Sequence, residues 1–279
     1  LKHLNIGFER IANMLRIYGI DLNLFGGETA EASDQIRTLD VSGTVRAETK
    51  IQHMIPGDKI MPGDLILGLG SYGRTPWERS YNSGIMANGM GVARHSLLSS
   101  DYTDEFPEIA DSDADYQGSY MLEDHIDELG YTVGEALSSP TRIFAPVLKR
   151  LIETYGTAGI HGIVHNTGGG LTKCLRIGKG IHYVKDNLLP IPPIFSLIQQ
   201  ESNRSWKSMY QGFNNGIGVE IIVPKDIAPL IREDILKWKI PCEIIGYCKD
   251  NRNVQEPSNK QGNRLSIVSE HGNANYPGK

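Results

Sequence analysis

The sequence predicts an α/β (α+β) fold in which helices cover a sheet. Apolar segments with helical spacing interleave with short strand-like runs along the chain, and several of those runs end in glycine turns that open helices. With 279 residues, 39% hydrophobic and 22% charged, the chain has ordinary globular composition and room for one or two cores. A net charge of -5 leaves no basic footprint for nucleic acid. No apolar run approaches the ~20 residues of a membrane span, and residues 1–7 lack the pattern of a signal peptide. Cys174, Cys242 and Cys248 match neither CxxC nor a zinc spacing, and read as buried thiols in a reducing compartment.

Taken in order, Leu4, Ile6, Phe8, Ile11, Ala12, Leu15 and Ile17 are spaced by mixed threes and fours, which predicts an amphipathic helix over 4–18. Residues 21–25 predict a short strand entering the Gly26-Gly27 turn. Partial alternation of Val41, Gly43, Val45 and Ala47 predicts a second strand over 40–49. Pro56-Gly57-Asp58 and Pro62-Gly63-Asp64 are turn signals, and a domain boundary falls near residue 55. One helix and two strands cannot bury both faces of a sheet, so 1–55 reads as the tail of one domain and 56–279 as another.

In the second part, 65–70 reads as a buried strand, 71–90 as a Gly, Ser and Asn-rich stretch, and 89–98 as a helix. The acidic run over 99–118 reads as a solvated loop. A helix is expected over 141–155, then a strand over 161–165 running into Thr167-Gly168-Gly169-Gly170, with a helix starting at Leu171. A strand at 181–184, helices at 194–200 and 205–211, a strand at 219–223, a helix at 227–238 and a strand at 242–248 follow. After a polar loop over 249–263, a last strand is expected at 265–269, then a Gly/Asn tail that frays.

Several positions point to chemistry. The Thr167–Gly170 turn offers bare backbone amides where a helix begins, an arrangement that attracts anions; a tight connection without a ligand fits the spacing equally well. No Gly-Lys-Ser/Thr follows, so it is not a Walker loop. His165, at the strand end beside it, suits a phosphate donor, a proton-transfer group or a core histidine. Glu28 and Glu31 flank Thr29 after a glycine pair and suit either Mg²⁺ bridged to phosphates or helix capping. Arg142, after Pro140-Thr141 at an expected helix start, can fork onto phosphate or carboxylate, or pair within the protein. Asn88-Gly89 and Asn214-Asn215-Gly216 are turn formers whose amides also suit substrate.

Four runs occur in a fixed order: Gly26-Gly27-Glu28-Thr29-Ala30-Glu31, Pro140-Thr141-Arg142-Ile143, His165-Asn166-Thr167-Gly168-Gly169-Gly170 and Phe213-Asn214-Asn215-Gly216-Ile217-Gly218. Together they resemble the aminoimidazole ribonucleotide synthetase family, the ATP-dependent cyclo-ligases of purine synthesis. The resemblance covers about residues 20–250. It implies two α/β domains and a cytoplasmic homodimer formed through the first, with a small-molecule nucleotide substrate and neither nucleic-acid nor membrane partners. ATP and Mg²⁺ are the implied cofactors. It implies that Gly26, Gly27, Glu28 and Thr29 lie near ATP, with Glu28 near the metal. It also implies that Thr167, Gly168, Gly169 and Gly170 hold a phosphate, that His165, Arg142 and Asn214 face substrate, and that Asn88 and Gly89 contact it. The family's Asp-Gly-Val-Gly-Thr-Lys run is not in this sequence, so the implied architecture is a complete C-terminal domain with the N-terminal domain largely missing. Met86-Ala87-Asn88-Gly89 replaces the family's usual His-Ser-Asn-Gly, and Arg74 to Asn82 are extra residues. These departures leave open another ATP-dependent phosphoryl-activating enzyme of the superfamily, or a non-catalytic nucleotide-binding paralogue.

Overall fold

Strand β1 (Leu65–Gly70) lies in the middle of a seven-stranded sheet, between the strand Ile217–Val223 and the strand Cys242–Asp250. The computed structural model describes residues 2–31, 34, 36, 38–109, 115–251 and 262–277. In chain order the helices are α1 (Lys2–Ile17), α2 (Met90–Leu97), α3 (Asp101–Glu105), α4 (Val133–Leu137), α5 (Ala145–Gly159), α6 (Pro193–Ser202), α7 (Trp206–Gly212) and α8 (Ala228–Leu236). The remaining strands are β2 (His125–Ile126), β3 (Tyr131–Thr132), β4 (Gly162–His165), β5 (Ile181–Lys185), β6 (Ile217–Val223), β7 (Cys242–Asp250), β8 (Arg264–Ser269) and β9 (Gly272–Pro277). The sheet order is β4-β6-β1-β7-β5-β8-β9, antiparallel except for the parallel pair β5 and β8. The predicted mixture of helices and sheet is present.

Both faces of the sheet are covered, which is why β6 is buried along its whole length. On one face Val147 and Leu151 of α5 and Ile231 and Ile235 of α8 pack on Leu67, Leu69, Val219, Ile221 and Val223. On the other, Leu171, Cys174 and Leu175 of a 3-10 segment, Gly170–Arg176, pack on Ile66, Tyr183, Ile222 and Ile245. A third cluster joins α2, α4, α6 and α7 through Leu97, Val133, Phe195, Ile198, Met209 and Phe213. All three cysteines are free and buried.

Several expectations need correction. The strands expected at 21–25 and 40–49 do not form; described residues there lie outside any helix or strand, with Phe25 100% and Val45 77% exposed. A strand needs a partner ladder, and no described strand pairs with either run. Helix α5 begins at Ala145 rather than Thr141, because Thr141 Oγ1 accepts the Ala87 N–H instead of capping. The helix expected at Leu171 is the tighter 3-10 segment. The acidic stretch contains the short α3, closed by parallel bridges from Leu98 and Ser99 to Tyr120 and Gly118; residues 110–114 lie outside the described ones. The tail expected to fray is β9, turned back on β8 at Gly272 (φ +97°) and anchored by buried Ala274 and Tyr276. That alternation is a strand signal masked by the polar residues between. The hairpin β2–β3 and α4, fixed by a Thr132/Glu135 capping box, went unread in the sequence.

Candidate anion-binding site

Three of the four sequence runs meet around residues 213–218. Asn214 is fully buried; its Nδ2 donates to the carbonyls of Gly84 (3.1 Å) and Ile85 (3.3 Å), and its Oδ1 accepts the Gly216 N–H (2.8 Å) and the Ser71 hydroxyl (3.3 Å). Asn166 Nδ2 donates to the Ile217 carbonyl at 3.0 Å, and the Asn166 N–H to Gly218. Arg142 NH1 donates to the carbonyls of Gly70 (2.8 Å) and Tyr72 (2.7 Å), at the end of β1. Its Nε and NH2 fork onto Glu78 at 2.9 and 2.8 Å. Loops from β1, β4, β6 and the start of α5 are thereby tied at one end of the sheet.

Arg142 and Asn214 are placed differently from the expectation that they face substrate. The Arg142 guanidinium has no exposed surface, and both polar atoms of the Asn214 side chain are engaged by protein. Each ties together loops around the turn. Arg142 pairs with a residue of the extra segment Arg74–Asn82, which is folded against the body. Asn82 Nδ2 donates to Pro140 O at 2.8 Å, and Trp77 packs with Tyr18 and Trp238 at centroid distances of 5.4 and 5.8 Å.

The glycine turn itself is open. Among the described residues, the Gly168 and Gly169 N–H groups find no protein acceptor, while Thr167, Gly170 and Thr172 N–H are taken by His165, Thr167 and Gly169 carbonyls. A Cβ at Gly168 would meet nothing within 4 Å. Gly170 differs: at φ +50°, its Cβ position lies 2.3 Å from the Phe213 carbonyl oxygen, so only glycine fits the packing. Two bare amides beside open space are the kind of arrangement that attracts anions.

Cations surround it. Lys173 donates to Thr167 Oγ1, and the Arg176 NH2 lies 3.6 Å from the Cβ position of Gly169. Local desolvation, then the Arg176 charge, lowers the Lys173 pKa. His165 is exposed at the end of β4, its ring edge-on to Phe144 at 6.1 Å. Desolvation by its neighbours, then the Lys173 ammonium, holds its pKa below the ordinary imidazole value, which favours the neutral ring near neutral pH. The sequence reading missed Lys173 and Arg176; their signal was basic residues three apart directly after the turn.

Asn88 Nδ2 donates weakly to Gly212 O at 3.4 Å, and its Oδ1 is buried without a partner among the described residues. Gly89 is required by Phe213, whose ring carbon lies 2.3 Å from its Cβ position. Met86, at φ +56°, starts this turn and lines a cleft of ≈ 250 Å³ with Ala87, Met90, Ser139, Pro140 and Thr141.

The remaining run, Gly26 to Thr29, is not brought to this site. Its residues are exposed and outside regular structure, with open space around both glycines. Among the described residues no group of three or more His, Cys, Asp or Glu is arranged to hold a metal ion.

Residues 61–256 match the family model described as AIR synthase related protein, C-terminal domain. The chain is 35% identical over 241 residues to a phosphoribosylformylglycinamidine cyclo-ligase of Methanococcus vannielii, covering 86% of this chain and 60% of that protein. It is 34% identical over 235 residues to the one of Methanocaldococcus jannaschii (84% and 58%), and 30% over 253 residues to that of Desulfotalea psychrophila (89% and 61%). Likeness to solved structures is looser: T. maritima PurL complexed with FGAR aligns at a TM-score of 0.44 and 12% identity, covering 81% of this chain and 29% of that chain. The chain thus spans about 60% of the length of the curated relatives it matches. It belongs to the AIR synthase related protein family, of which it carries the C-terminal domain.

Proposed function

We propose that the protein carrying this chain is a cyclo-ligase of purine biosynthesis. It closes formylglycinamidine ribonucleotide to aminoimidazole ribonucleotide, using ATP and releasing ADP and phosphate. The relatives' names support the reaction, and the open pair of amides at Gly168 and Gly169, flanked by Lys173 and Arg176, is the observation that carries the local assignment.

In this reading the formyl oxygen is phosphorylated, a nitrogen closes onto the activated carbon, and phosphate leaves. The chain's own part is electrostatic. The turn amides and the two cations bind a phosphate and stabilise the charge that develops on it. His165, neutral near pH 7, accepts a proton beside that phosphate. Asn88 Oδ1 accepts a hydrogen bond from the substrate. Arg142 and Asn214 hold the loops in register. Residues 1–55 read as the end of an ATP-binding and dimerisation domain, and 56–279 as the C-terminal domain; a cytoplasmic homodimer and Mg²⁺ belong to the same proposal.

The test is ATP-dependent conversion of formylglycinamidine ribonucleotide by the intact protein, following phosphate and imidazole product together. One phosphate per imidazole is expected. ATP binding without turnover would assign the turn to another phosphorylated substrate or to a non-catalytic paralogue.

A further inference from the structure

Beneath the glycine turn lies a charged network that the proposed reaction does not use directly. Lys185 on β5 and Glu220 on β6 are both 0% exposed, and Lys185 Nζ lies 2.6 Å from Glu220 Oε1. Lys185 also donates to the Leu171 carbonyl at 2.7 Å, one residue past the turn. Glu220 Oε1 also accepts Asn166 Nδ2 at 2.8 Å, one residue before Thr167. One buried pair thereby grips both ends of the open turn. Burial opposes the Lys185 charge, but the adjoining Cys174 sulfur and Glu220 more than offset it and hold the pKa above the ordinary lysine value.

For stability alone this is a poor arrangement. Desolvating two charges is costly, and apolar residues of similar volume often serve a core as well or better. Glu220 Oε2 and Asn166 Oδ1 are moreover buried without a partner among the described residues. The network does set geometry: it ties the Leu171 carbonyl and the Asn166 side-chain amide, and between these two anchors lie the exposed Gly168 and half-buried Gly169, whose N–H groups meet no protein acceptor among the described residues.

We propose that Lys185, Glu220 and Asn166 are positioning residues that preorganise the Thr167–Gly170 amides for a phosphate group. The inference rests on reading that turn as an anion site. Preorganised donors hold their ligand without reordering at the moment of binding, so loosening the two anchors weakens binding without removing any group that touches phosphate.

The test uses the intact protein with inorganic phosphate as probe. Calorimetry gives the affinity, hydrogen–deuterium exchange gives protection over 165–171, and urea unfolding gives stability. In the wild type, phosphate is expected to slow exchange in that segment. Lys185→Met combined with Glu220→Leu is expected to keep the fold and weaken phosphate binding at least about tenfold, with 165–171 exchanging faster even without phosphate. Asn166→Ala, which leaves the buried pair intact, is expected to act in the same direction and covers the case in which the double variant does not fold. A merely structural role predicts altered unfolding midpoints with wild-type phosphate affinity in the folded protein; that result overturns the inference and leaves the anion turn standing. If phosphate does not protect 165–171 in the wild type, the turn reading fails and this inference with it.

Discussion

Arg142 and Glu78 form a bidentate pair, Nε to Oε1 at 2.9 Å and NH2 to Oε2 at 2.8 Å, with the guanidinium fully buried. Glu78 belongs to the extra segment between Gly73 and Ser83, and its Oε2 also accepts the Thr75 N–H at 2.8 Å. A motif arginine is thereby held by a segment that the sequence reading took as a departure from the family.

Removing that carboxylate leaves a buried cation with only carbonyl partners. Glu78→Ala is expected to destabilise the fold by about 3–5 kcal/mol, whereas Glu78→Asp costs less because one charge-assisted hydrogen bond survives. Urea unfolding checks both. Equal midpoints for wild type and Glu78→Ala would show that the pair does not hold the segment.

The glycines of the turn separate structure from ligand binding. Gly170→Ala forces a Cβ 2.3 Å from the Phe213 carbonyl oxygen at φ +50° and is expected to cost roughly 1–3 kcal/mol or more. Gly168→Ala, in open space, is expected to leave the stability within about 0.5 kcal/mol of wild type while weakening phosphate affinity. Comparing thermal midpoints and phosphate titrations of the two variants separates these effects.

His165 titrates below the ordinary 6.5, through desolvation and then the Lys173 charge. A histidine whose folded pKa is depressed contributes stability that is present above the unfolded pKa and is lost as pH falls from 6.5 towards the folded value. The imidazole proton resonance is expected to show a midpoint below 6.5, and Lys173→Met to raise it towards that value. A midpoint above 6.5 would contradict the assigned environment.

Tyr18, at the end of α1, meets Trp77 and Trp238 at 5.4 and 5.6 Å between centroids. Few residues of α1 are buried, chiefly Ala12 and Leu15, so this aromatic trio is a main attachment of the helix. Trp77→Ala is expected to speed amide exchange over 2–17 selectively, with β1 and β6 unchanged. Unaltered exchange in α1 would show that the helix is held elsewhere.

Most of the C-terminal architecture was legible because burial writes itself into period. Strands β1, β6 and β7 are apolar runs and α5 and α8 carry apolar stripes, so only their ends shifted. The strands at 21–25 and 40–49 were misread because alternation records a tendency, while a strand exists only where another chain segment completes its hydrogen bonds. β9 was missed for the opposite reason, since Asn273 and Asn275 disguise the alternation of Ala274 with Tyr276. At the site, the turn and His165 were legible from glycine spacing at a strand end. The inward placement of Arg142 and Asn214 was not, because their partners Glu78, Gly84 and Ile85 lie far away in sequence. Lys185 and Glu220 had a faint signal: single opposite charges inside two otherwise apolar strands.

The most direct test of the anion turn is the steady-state kinetics of Gly168→Asp in the intact protein, with formylglycinamidine ribonucleotide and ATP. The substituted carboxylate enters open space, so folding is expected to be preserved, yet it sets a negative charge beside the amides proposed to bind phosphate. A fall in kcat/KM of roughly 100-fold or more at an unchanged thermal midpoint is the predicted result. Wild-type Michaelis parameters in that variant would contradict the assignment of the turn.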